Sequence, residues 1–67
     1  MTPAEYRTAI QALGLSQVAA GRWLDVDPRT SRRWASGDVP VPEAVAKLLR
    51  LAVARGLTPE TIDRLTG

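Results

Sequence analysis

Three arginines stand close together in this chain of 67 residues, at Arg29, Arg32 and Arg33. A guanidinium is always charged and holds its N–H donors in a planar fork, so it suits anionic oxygens and paired acceptors. At ~100° per residue the three share one face of a helix, with Ser31, Trp34 and Ala35 on the opposite face. Such a helix, anchored through a tryptophan, presents its arginines to something anionic. The major groove of DNA admits one α-helix, and the arginine fork matches the N7 and O6 acceptors of guanine. Most charged helical faces are simply solvated. Here a cap, a turn and an apolar anchor fall in register with the arginines, which favours the binding reading.

Other chemistries find little to work with. Histidine and cysteine are both absent, which removes the commonest general base and metal ligand, thiolate metal sites and disulfides. The carboxylates Glu5, Asp25, Asp27, Asp38, Glu43, Glu60 and Asp63 form no helical pair suited to acid–base work. No enzyme, catalytic residue, metal or cofactor is therefore expected. The net charge is only +2 although the pI is near 9.9. Basic charge is nevertheless concentrated: Arg22, Arg29, Arg32 and Arg33 are four of the nine basic residues. The only acids among them are Asp25 and Asp27, both with local jobs in a turn and a cap.

The elements that must position these arginines can be read from their caps. Ser16 is a good N-cap for a helix with Ala20, Trp23 and Leu24 inward and Arg22 and Val18 outward. Asp25 suits a left-handed turn position, and Val26 should point inward. Asp27 is the expected N-cap of the next helix, with Pro28 its first residue. Two short helices with a tight turn between them, over residues 16–35, read as a helix-turn-helix. Gln17, at the start of the first of these helices, is placed for a phosphate contact.

Around this pair, Thr2-Pro3-Ala4-Glu5 has the pattern of a capping box. It opens a helix lined by Tyr6, Ala9, Ile10 and Leu13 and stopped by Gly14. Gly37 ends the arginine helix, and Pro40 and Pro42 hold an extended linker. The longest helix is expected from Pro42 to Arg55, with Val45, Leu48, Leu49 and Ala52 as its central stripe and Gly56 as its stop. A last short helix starts at Thr58-Pro59 and presents Ile62 and Leu65. The reading is all-α: one domain over residues 1–67, a bundle of about five short helices with no strand and no repeat.

The run Leu15-Ser16-Gln17, Leu24-Asp25-Val26, Thr30, Arg32-Arg33-Trp34 and Gly37 resembles the small helix-turn-helix repressors of the Cro and lambda-repressor type. The five-helix plan extends that resemblance over nearly the whole chain. It implies that Gln17 binds a phosphate, that Pro28, Arg29, Arg32 and Arg33 face bases, and that Thr30 touches the backbone. Three positions depart from the family pattern. Asp25 stands where glycine is usual, Gly21 where alanine is usual, and Ser31 where a branched apolar residue is usual. Gly21 should cost up to ~1 kcal/mol in helix propensity, and Ser31 should thin the core beside Trp34.

The expected function is a sequence-specific regulator of double-stranded DNA, a homodimeric repressor on an inverted-repeat operator. Its DNA-facing residues would be Gln17, Arg22, Pro28, Arg29, Thr30, Arg32 and Arg33. The apolar arc of the fourth helix is wider than one core stripe needs, so Leu51 and Val53, with Ile62 and Leu65, are the expected dimer interface. The alternative is a protein-interaction module, antitoxin-like or a phage regulatory partner, that keeps the same shape. No small-molecule ligand is expected. No apolar run approaches a membrane span and no signal-peptide pattern opens the chain, so a cytoplasmic, nucleoid-associated location is expected.

Overall fold

A capping box starts the first helix, α1 (Pro3–Ala12): Thr2 Oγ1 accepts from the Glu5 amide at 3.1 Å, and Glu5 Oε1 accepts from the Thr2 amide at 2.8 Å. In this computed structural model, which describes residues 1–67, four more helices follow and there is no strand. They are α2 (Gln17–Trp23), α3 (Pro28–Ser36), α4 (Glu43–Arg55) and α5 (Pro59–Thr66). Ser16, Asp27 and Thr58 cap α2, α3 and α5 through their side chains, as their residue types lead one to expect. The fourth helix differs by one residue from the sequence reading. Pro42 is its N-cap and Glu43 its first residue, with no side-chain cap bond.

Four helix ends close in the same way. After α1, α2, α3 and α4 the chain turns through a left-handed residue, at Gly14 (φ 77°), Asp25 (φ 60°), Gly37 (φ 89°) and Gly56 (φ 64°). The following amide then reaches back to the last turn of the helix: Leu15 to Ile10 O, Val26 to Gly21 O, Asp38 to Arg33 O and Leu57 to Ala52 O. Asp25 therefore does the work that glycine does at the other three ends.

The core is one cluster of twelve buried hydrophobic residues. Tyr6, Ala9, Ile10 and Leu13 of the α1 segment meet Ala20, Trp34, Ala35, Ala46, Leu49 and Ala52. Val41 from the linker and Ile62 from α5 complete it. The first helix packs against α2, α3 and α4, while α5 makes sparser contacts with the rest. Trp34 is buried and meets Tyr6 edge-on, with centroids 5.7 Å apart and planes at 81°. Trp23 is only half-buried, and its Nε1 donates to Asp63 Oδ1 on α5 at 2.9 Å. No helix is long and apolar enough to cross a membrane.

Two residues that looked like weaknesses in the sequence have structural reasons. A Cβ on Gly21 would sit 3.0 Å from Pro28 Cα and 3.2 Å from Ser31 Cβ, so its absence lets α2 lie against the start of α3. Ser31 is fully buried, and its hydroxyl shares a 2.5 Å hydrogen bond with the Tyr6 hydroxyl. A branched apolar side chain at 31 would leave that phenol without a partner.

Candidate nucleic-acid interface

The third helix has two chemically distinct sides. Ser31, Trp34 and Ala35 are buried, while Arg29, Arg32 and Arg33 are exposed, as the helical spacing requires. The Asp27 carboxylate is occupied by the cap, accepting from the Arg29 amide at 2.8 Å. The one ion pair in the chain joins Arg50 to Glu43 at 3.2 Å, both of them on α4. The guanidiniums of Arg22, Arg29, Arg32 and Arg33 make neither a salt bridge nor a hydrogen bond within the chain. Four uncompensated cations thus sit on the α2–α3 pair.

The remaining members of the candidate set flank these arginines unevenly. Arg22 is exposed in the last turn of α2, and Gln17 is half-buried at its first position. Pro28 and Thr30 are also half-buried. The backbone of Pro28 lies against Gly21, so part of this residue is committed to the α2–α3 contact. The arginine face is therefore defined by side chains that are free to meet a partner, bordered by residues that are partly packed.

The expected dimer residues do not form one patch. Leu51 is 56% exposed and Leu65 is 74% exposed, and both line a small apolar notch of about 130 Å³ between α4 and α5. Ile62 needs correction: it is 7% exposed and belongs to the core, where it holds α5 to the body. Val53, 45% exposed, lines a different groove of about 450 Å³ between α1 and α4, with Ala4, Thr8 and Ala12. The reason is helical geometry, since residues two apart point ~200° away from each other. That signal was already present in the spacing of Leu51 and Val53.

Sequence reasoning missed three long-range contacts that set this arrangement. Tyr6 meets Ser31, Arg7 Nη1 donates to the carbonyl of Ala35, and Trp23 meets Asp63. Burial pushes the Tyr6 phenol above its ordinary pKa, and the bond with Ser31 offsets only part of that effect. No group of three or more His, Cys, Asp or Glu side chains is placed to hold a metal ion.

No family model, curated protein or solved structure matches the chain.

Proposed function

We propose that this protein is a sequence-specific binder of double-stranded DNA that uses α2 and α3 as a helix-turn-helix and acts as a homodimeric repressor. The observation that carries the reading is the unpaired state of Arg22, Arg29, Arg32 and Arg33 on an exposed face whose opposite side is fully packed. Unpaired guanidiniums need not break internal bonds before meeting phosphates or guanine, so their whole donor set is available to a partner. In this reading α3 lies in the major groove and its N-terminal part is nearest the bases. Arg29 and Arg33 read base edges, and Arg32 divides its contacts between base and phosphate. Gln17, Arg22 and Thr30 meet the backbone, and Pro28 packs beside it.

Dimerisation in this reading uses Leu51 and Leu65, the exposed apolar residues that share the α4–α5 notch. Two copies then present their arginine helices to half-sites about one DNA turn, ~34 Å, apart. The deciding experiment is selection from a random duplex pool with the purified chain, followed by titration of the winner at rising salt. Enrichment of an inverted repeat is expected, with affinity falling steeply and log-linearly with salt. If no motif is enriched at any salt, the reading fails.

A further inference from the structure

We propose that Tyr6 is a positioning residue for α3: through its hydroxyl bond to Ser31 it fixes the rotation of that helix about its own axis, and with it the aim of Arg29, Arg32 and Arg33. The last step rests on the DNA-binding reading above; the first does not. Tyr6 and Ser31 are both fully buried, so neither touches a partner. Their 2.5 Å bond joins α1 to the middle of α3 directly behind the arginine face.

Several contacts converge on that point. The Tyr6 and Trp34 rings also meet in a T-shaped pair, and the neighbouring Arg7 holds the Ala35 carbonyl. Residues 31, 34 and 35 form one inward line along α3, so two adjacent residues of α1 grip that line along its length. From the other side, Gly21 brings α2 so close that a Cβ there would lie 3.2 Å from Ser31 Cβ. Ser31 is thus hemmed in by a backbone on one side and tied by a hydrogen bond on the other. Of these contacts, the hydroxyl pair and the Arg7 bond are the directional ones, and only the hydroxyl pair ties an α3 side chain.

The geometry makes that restraint consequential. A turn of ~20° about the α3 axis carries an atom ~6 Å from the axis through ~2 Å. That displacement takes a two-point arginine–guanine contact out of hydrogen-bond range. Without the phenol, the Ser31 hydroxyl would turn to the carbonyl of Asp27 one turn back, a substitution that bends helices. The hydrogen bond that the Ser31 amide donates to Asp27 O is already long, at 3.3 Å.

The test compares the wild-type chain with Tyr6→Phe/Ser31→Ala, which removes both hydroxyls and leaves no buried polar group unpaired. Tyr6→Phe alone serves if the double variant does not fold. Residual dipolar couplings of backbone amides give the orientation of each helix, and selection from a random duplex pool gives the motif. We expect α3 to rotate by ~10° or more relative to α1 and α4. Discrimination at one or more base pairs should fall by about fivefold or more, with affinity for unrelated duplex unchanged within about twofold. Merely lowered stability would weaken all sequences alike and would leave the couplings of the folded fraction in place. Wild-type orientation of α3 in the variant overturns the inference, as does a rotated α3 with an unchanged motif. If the wild-type chain itself enriches no motif, the DNA reading falls, and the couplings alone decide whether Tyr6 positions α3.

Discussion

The α2–α3 pair and the α4–α5 pair each join two helices through a turn closed at a left-handed residue, Asp25 in one and Gly56 in the other. Their surfaces differ in kind. On α2–α3 the exposed excess is cationic and unpaired, while the packing beneath is close enough to need Gly21. On α4–α5 Arg50 is met by Glu43, Lys47, Arg55 and Arg64 are spread out as exposed cations without an ion pair, and exposed apolar side chains stand among them at Leu51 and Leu65. A chain of this length has too little interior to hide a mistake of either type. In the proposed reading each surplus meets a partner of matching chemistry, an anion at one end and an apolar surface at the other.

The largest effect should separate the two sets of arginines. Arg29→Ala and Arg33→Ala should each lower affinity for the selected duplex by ~1–3 kcal/mol and relax preference at one base pair. Arg50→Ala should leave binding unchanged and shift stability by no more than ~0.5 kcal/mol, since its ion pair is half exposed. Competition titrations against single-base variants of the duplex provide the measurement. Equal losses from all three substitutions would erase the distinction between the two ends.

Next comes the division inside the apolar end. Ile62→Ala should cost ~2 kcal/mol, the low end for a buried isoleucine, because α5 can settle after the loss. Leu51→Glu should change monomer stability by ~0.5 kcal/mol or less yet weaken self-association. Denaturant melts and sedimentation at several concentrations would show the split. A Leu51→Glu chain that remains dimeric at micromolar concentration would move the interface elsewhere.

A smaller effect tests the close approach of α2 to α3. Gly21→Ala gains up to ~1 kcal/mol in helix propensity, but the new methyl meets Pro28 Cα at 3.0 Å, which is backbone and yields little. Overpacking of this kind costs ~1–3 kcal/mol, so a net loss of ~1 kcal/mol is expected in a denaturant melt. A more stable variant would mean that α2 can back away from α3 freely.

The smallest effect concerns pH. Hydrogen bonds from Thr2 hold the Glu5 carboxyl below its ordinary pKa, so its contribution to stability is present above the unfolded value and is lost as pH falls through the folded one. The melting temperature of the wild-type chain should exceed that of Glu5→Gln at neutral pH, and the gap should close in acid. A gap that persists unchanged at low pH would assign the stabilisation to something other than the carboxylate.

What the sequence disclosed was mostly local. Caps at Thr2, Ser16, Asp27 and Thr58, the left-handed Asp25, and the inward Tyr6, Ile10 and Trp34 all follow from residue type and spacing over one or two turns. Contacts across many residues were not legible. Ser31 and Tyr6 are 25 positions apart, and Trp23 and Asp63 are 40 apart. Without them Ser31 reads as a gap and Gly21 as a propensity loss, whereas both are terms of one junction. Ile62 was misplaced for a related reason. A short amphipathic helix offers Ile62 and Leu65 on neighbouring positions, and only the docking of α5 decides which of them is covered.

The bond between the Trp23 indole and Asp63 has an optical consequence. The two tryptophans of the chain are in unlike surroundings: Trp34 is enclosed beside Tyr6, and Trp23 is half in water with its N–H on a carboxylate of α5. Emission from Trp34 therefore reports the body, and emission from Trp23 reports whether the last helix is seated. Undocking of α5 would redden Trp23 before the body unfolds and reddens Trp34, so in Trp34→Phe an early red shift reports that event. The molecule carries its own built-in gauge for the seating of its last helix.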